Sequence, residues 1–149
     1  MNYPSVGKLI SYLQRINQKE VTALLKPYGI GGGGNHSYLL AILATPGLNQ
    51  DQLTHLVKFD KATTTRSVKQ LEEAGYIERR VNEQDRRSIL WYPTEKGKAF
   101  EPTLRQILAD FNFRLTAVLT EEETKQLEHL LTKIYESKLK NDEYPSKSR

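Results

Sequence analysis

Apolar residues along much of this chain recur at helical spacing. Val6, Leu9, Ile10, Leu13, Ile16, Val21, Leu24 and Leu25 fall at three- and four-residue steps, with Gln14, Arg15, Gln18 and Lys19 between them. That spacing predicts a helix over residues 6–26, stopped by Pro27 and Gly29. A second helix is predicted over 35–45, with Asn35 as its N-cap and Leu39, Leu40, Ile42 and Leu43 as its buried side, before a turn at Pro46-Gly47. Asn49 and Gln52 fit a capping arrangement for a short helix over 50–58 that packs through Leu53, Leu56 and Val57. Asp60 can cap, and Gly75 can end, a helix over 61–74. The composition then becomes strand-like: 76–81 and 88–92 are rich in aromatic and β-branched residues and flank a polar connection over 82–87. Thr94 opens another helical stretch through Leu104, Ile107, Leu108, Phe111 and Leu115, which Pro102 is expected to kink or restart. A capping box at Thr120 precedes a last helix carrying Leu127, Leu130, Leu131, Ile134 and Leu139. Residues 141–149 are expected to fray.

Two short helices and a hairpin in this order predict a mainly α fold with a small β-hairpin wing, a winged helix-turn-helix over residues 35–97. The flanking regions, 1–30 and 98–140, carry more apolar surface than so small a lobe needs, and are expected to be dimerisation helices within a single domain over 1–149. On a helical wheel of 61–74, Thr64, Ser67, Val68 and Leu71 face inward, and Ala62, Thr65, Arg66, Lys69, Gln70 and Glu73 face outward. Hydroxyls, an amide and cations near a helix N-terminus are the groups that reach base edges in a major groove. The helix and the basic hairpin after it therefore point to nucleic acid.

Composition narrows this further. A net charge of +4 over 149 residues favours an anionic partner without identifying one, so the placement of the charges decides. With no cysteine, disulfides, cysteine-based zinc sites and thiol redox sensing are excluded. No apolar run approaches the roughly 18 residues that span a bilayer, and no signal peptide is recognisable at the N-terminus, so a cytoplasmic location without membrane contact is expected. Residues 29–34 formally match the dinucleotide fingerprint G-x-G-x-x-G. A long helix precedes them where the fingerprint requires a strand, and they are read as a flexible corner. His36, His55 and His129 lack metal-ligand spacing, and no catalytic motif is present, so neither an enzyme, a metal site nor a cofactor is expected.

Two motifs give the chain a family resemblance. Asp60-Lys61-Ala62-Thr63-Thr64-Thr65-Arg66, followed by Leu71-Glu72-Glu73-Ala74-Gly75-Tyr76-Ile77-Glu78-Arg79, resembles the recognition helix and first wing strand of the MarR family of bacterial winged helix-turn-helix regulators. Asp85-Arg86-Arg87, running on to Thr94-Glu95-Lys96-Gly97, is similar to that family's D-x-R wing and T-x-x-G helix start. Pro93, the polar Thr64 and the long glycine run depart from its pattern. The resemblance implies a homodimer on double-stranded DNA, with Arg87 of the wing tip in the minor groove and Asp85 holding the hairpin. Arg86 and Arg79 are then candidates for phosphates, as are Lys61, Thr63 and Lys69, while Thr65, Arg66 and Gln70 are assigned to base edges. It also implies release by a small aromatic or phenolic effector, for which Tyr12, His36, Tyr38, Phe111 and Phe113 are the candidate lining. The function expected is a sequence-specific transcriptional regulator, a repressor on an inverted-repeat operator. The competing reading is an architectural or protein-interaction winged-helix module without sequence choice.

Overall fold

The computed structural model describes residues 2–141. The expected frayed tail, apart from the last residue of the final helix, lies outside them. In chain order the elements are α1 (Val6–Leu25), a 3-10 turn (Lys26–Tyr28), α2 (Asn35–Ala44), α3 (Gln50–Val57), α4 (Lys61–Glu73), β1 (Ile77–Asn82), β2 (Asp85–Pro93), α5 (Glu95–Leu115) and α6 (Glu121–Asn141). They form two compact units, residues 1–109 and 110–149.

Caps explain most of the boundaries in the first unit. Asn49 and Gln52 form a reciprocal capping box at α3. Asp60 Oδ1 accepts the Thr63 N–H at 2.6 Å, a bond that also holds its carboxyl below the usual carboxylate range. Gly75 closes α4 at φ +83°, and Thr94 Oγ1 accepts the Gly97 N–H at 3.1 Å to open α5. A Cβ on Gly97 would collide with the Tyr76 carbonyl oxygen, so glycine lets the first turn of α5 lie directly on the end of the wing-helix corner.

The core of this unit is built from Leu25, Ile30, Tyr38, Leu39, Ile42, Leu53, Val68, Leu71, Tyr76, Ile77, Trp91, Phe100 and Leu104, all buried. Phe100 stands 5.0 Å from the ring of Tyr28 and 5.1 Å from that of Tyr76, and so ties α5 to the corner after α1 and to the start of the wing. The two strands pair antiparallel from Ile77↔Pro93 to Asn82↔Asp85, with a shift of register at Val81/Asn82. An isolated bridge from Leu48 to Trp91 joins the α2–α3 connection to β2.

Several expectations are corrected. Asn35 does not cap α2: Gly34, at φ +78°, takes that position with no side-chain cap, and Asn35 is buried in the first turn. Leu40 and Leu43 are only half-buried, while Tyr38 is wholly inside. Leu56 is exposed, because only Leu53 and, partly, Val57 reach the core from so short a helix. Strand β2 starts at Asp85 rather than at Ser88, which shortens the connection to Glu83-Gln84. Pro102 does not break α5 into two, since it lies on an exposed face where water can take the carbonyl its ring leaves unbonded. Pro93 is accommodated as the last residue of β2.

Apolar surface is left over on two helices. Along α1, Val6, Leu9, Ile10, Leu13 and Ile16 are exposed, and only Val21 and Leu25 are buried. In the second unit α6 opens on a capping box of Thr120 and Glu123 and exposes Leu127, Leu130, Leu131, Ile134 and Tyr135. No helix among the described residues is long and apolar enough to cross a membrane.

Candidate nucleic-acid interface

The inward face of α4 is polar at its centre. Thr64 is completely buried, and its hydroxyl donates to the Asp60 carbonyl at 3.0 Å. It also receives the Tyr38 hydroxyl at 2.9 Å and that of Thr54 at 2.8 Å. The departure at Thr64 therefore does not loosen the helix: three elements converge on one satisfied hydroxyl. Burial raises the Tyr38 phenol above its usual range.

The outward face is exposed at Lys61, Ala62, Thr65, Arg66, Lys69 and Gln70, and partly at Thr63. The side chains are not equally free. Thr65 Oγ1 donates to the Lys61 carbonyl and accepts Gln50 Nε2 at 2.6 Å, so its methyl is the group left for a ligand. Arg66 makes a long contact, 3.4 Å, with the Thr63 hydroxyl and lies close enough to the Asp60 carboxylate to favour its charge. Gln70 leans toward the glycine loop, where its Oε1 accepts Asn35 Nδ2 at 2.6 Å.

In the wing, Asp85 Oδ1 accepts the Arg87 N–H at 3.1 Å, and the Arg87 guanidinium lies 3.5 Å from the same carboxylate with its side chain 95% exposed. Arg86 is exposed beside it. Both stand at the start of strand β2 rather than on the connecting residues, a consequence of the longer strand. Arg79 is held differently. Its guanidinium makes two bonds, 2.7 and 2.9 Å, to the Glu72 carboxylate at the end of α4, and it lies over the Trp91 ring at 5.5 Å. The bonds from Arg79 hold Glu72 below the usual carboxylate range. Arg80, pointing the other way, pairs with Glu78 and covers the Tyr92 ring.

A cleft of about 300 Å³ opens beside α4, lined by Gln18, Gly33, Asn35, Phe59, Thr63, Arg66, Ser67 and Gln70. None of the five residues expected to line an effector pocket is among them. Tyr38 is buried with its hydroxyl engaged, His36 is half-buried and Tyr12 is exposed. Phe111, buried, and Phe113, exposed, belong to the second unit. Sequence reasoning missed Asn35, Gln50 and Glu72 as partners of the interface. Their partners lie 35, 15 and 7 residues away, across turns that periodicity does not close. Among the described residues no group of His, Asp or Glu could hold a metal ion.

Residues 34–89, from the N-cap of α2 to the middle of β2, match the model of the MarR family. The chain is 32% identical over 114 residues, 76% of each chain, to the uncharacterised HTH-type transcriptional regulator YybA of Bacillus subtilis. It is 31% identical over 137 residues to the HTH-type transcriptional regulator SarZ of Staphylococcus epidermidis, covering 88% of this chain and 92% of SarZ. The crystal structure of a MarR transcriptional regulator from Methanosarcina mazei Go1 superposes with a TM-score of 0.83 at 35% identity, over 91% of this chain and 96% of that one. With the helix-turn-helix, the wing and the flanking helices all in place, the chain belongs to the MarR family of winged helix-turn-helix transcriptional regulators, which bind DNA, act as dimers and are not enzymes.

Proposed function

We propose that this protein is a cytoplasmic, sequence-specific repressor that binds an inverted-repeat operator as a homodimer. The observation that carries the reading is the pairing of an exposed, cationic outer face on α4 with a nearly free arginine, Arg87, on the adjacent wing. In this reading α4 lies in the major groove. Arg66 reads a base edge, the Thr65 methyl packs on a thymine methyl, and Gln70 meets an edge from the flank of the helix. Lys61, Thr63 and Lys69 contact phosphates. Arg87 enters the minor groove, where a narrow groove concentrates negative potential, and Arg86 takes the neighbouring phosphate. Asp85 holds the turn. Arg79, bound bidentately to Glu72, braces the wing against α4 and is freed for a phosphate only if that pair opens. The exposed apolar rows of α1 and α6 supply the dimerisation surface, in the helical regions 1–30 and 98–140.

Release by a small aromatic or phenolic anion is part of the proposal, and the cleft beside α4 supports it. The cleft offers the Phe59 ring, the Arg66 cation and several amides and hydroxyls. An anion held there would compete with DNA for Arg66. Salicylate-like compounds should raise the melting temperature and lower operator affinity; if neither change is seen, this part of the reading falls.

Selection from a random duplex pool tests the whole. An inverted repeat with half-sites about one helical turn apart is expected, whereas no consensus would return the architectural alternative. Arg66→Ala should then relax sequence preference at one position, and Lys69→Ala should weaken all duplexes alike.

A further inference from the structure

The glycine run, residues 31–34, closes over the recognition helix rather than serving only as a corner. A Cβ on Gly32 would collide with Gln70 Oε1 and stand 2.7 Å from Asn35 Nδ2, and one on Gly33 would stand 2.8 Å from Gln18 Nε2. Beneath this backbone, Asn35 is 1% exposed and donates from Nδ2 to Gln70 Oε1 at 2.6 Å, while Gln70 itself is exposed on α4. One end of an otherwise free carboxamide is thus fixed by a buried group on another helix.

We propose that Asn35 is a specificity-determining positioning residue, which holds the Gln70 oxygen toward the glycine loop and leaves the Nε2 hydrogens as the group Gln70 presents to the major groove. The proposal rests on the placement of Gln70 beside a base edge. An unrestrained glutamine pairs with adenine through both atoms, accepting from N6 and donating to N7. With its oxygen held, Gln70 offers donors alone, which suit the edges that present only acceptors, O6 and N7 of guanine and O4 of thymine, better than adenine, whose N7 can accept but whose N6 amino group then meets no acceptor. A residue that never meets the DNA in this way sets what its neighbour can read.

The full-length dimer and three variants are to be compared by selection from randomised duplexes, with melting temperatures measured alongside. Gln70→Ala should erase a guanine or thymine preference at one position of each half-site. Asn35→Ala frees the carboxamide and should broaden that position toward adenine. Asn35→Asp keeps the size of the buried side chain, and a carboxylate in the first turn of α2 suits the helix dipole. Because a carboxylate only accepts, it should draw in Gln70 Nε2 and turn the oxygen outward. The preferred base should then change to adenine or cytosine, whose amino groups donate, by about five- to tenfold, the worth of one exchanged hydrogen bond. A general loss of packing would weaken every sequence alike and would not exchange one base class for another. If both Asn35 variants kept the original preference while Gln70→Ala lost it, the proposal would be overturned. If Gln70→Ala changed no position, the placement of Gln70 at a base edge would have failed, and the role of Asn35 with it.

Discussion

The two parts proposed to face DNA are supported in opposite ways. Helix α4 is held from behind by Tyr38 and Thr54 on Thr64, from one flank by Asn35 on Gln70, from the other by Gln50 on Thr65, and at its end by Arg79 on Glu72. The wing tip rests on local bonds: Asn82 Oδ1 accepts the Gln84 N–H and Asp85 Oδ1 the Arg87 N–H. A reader of base edges must be placed to within a hydrogen bond, which requires a shell of fixed partners. An arginine drawn by groove potential does not. Stability and specificity should therefore be coupled at α4 and affinity alone should depend on the tip.

The largest expected break in that contrast comes from Thr64→Val. It leaves the buried Tyr38 hydroxyl without its partner, and should cost about 2 kcal/mol in denaturant unfolding. Adding Tyr38→Phe removes the orphaned group and should restore roughly 1 kcal/mol, so that the double variant is more stable than Thr64→Val alone. An additive pair would show that the hydroxyl cluster does not support the helix. Next comes Arg87→Ala. Its side chain is almost wholly in solvent, so stability should move by less than about 0.5 kcal/mol. Operator affinity should nevertheless fall roughly tenfold, with the salt slope lower by about one. A melting temperature that fell as far as for Thr64→Val would erase the distinction between the two regions.

What the sequence made legible follows the same division. Periods, caps and turns are local, so the order of helices, the hairpin and the inward set Thr64, Ser67, Val68 and Leu71 could be read directly. The bonds that give α4 its shell are not local. Asn35 had the composition of an N-cap, yet Gly34 tolerates the left-handed geometry there and releases the asparagine for Gln70. Thr64 departs from the family pattern, and the three partners that satisfy it come from α2, α3 and the Asp60 cap, which no wheel displays. The wing arginines, whose placement depends on a short hairpin, were located with an error of only a few residues in the strand boundary. The pairing of Arg79 with Glu72 was not legible, because it joins a strand to the preceding helix across the turn at Gly75.

Glu72→Gln sharpens the comparison at the junction of the two regions. It removes the charge that Arg79 pairs with bidentately at 2.7 and 2.9 Å, although the Arg79 side chain is 56% exposed. For so exposed a pair the stability cost should be about 0.5–1 kcal/mol. The informative readout is the minor-groove footprint. With the brace weakened, protection at the wing should become less distinct while protection under α4 is retained. Loss of both together would mean that wing and helix move as one body.

The smallest expected effect is on pH dependence, and it acts on one region only. Burial lowers the pKa of His36, in the first turn of α2, below the ordinary histidine value. The unfolded chain therefore takes up a proton at a higher pH than the folded one does. The stability that the neutral ring contributes is fully present above the unfolded value near 6.5, and is lost as pH falls from there through the lower folded value. Glu72, also lowered, acts in the same direction but in a more acidic window, below about 4.5. Between pH 7.5 and 5.5 the melting temperature should therefore decline, and His36→Gln should flatten the decline. The salt slope of operator binding, which depends on the wing tip, should be the same for His36→Gln as for the parent protein. If His36→Gln left the pH profile of stability unaltered, the proton uptake would have to lie elsewhere than on the packed side of the molecule.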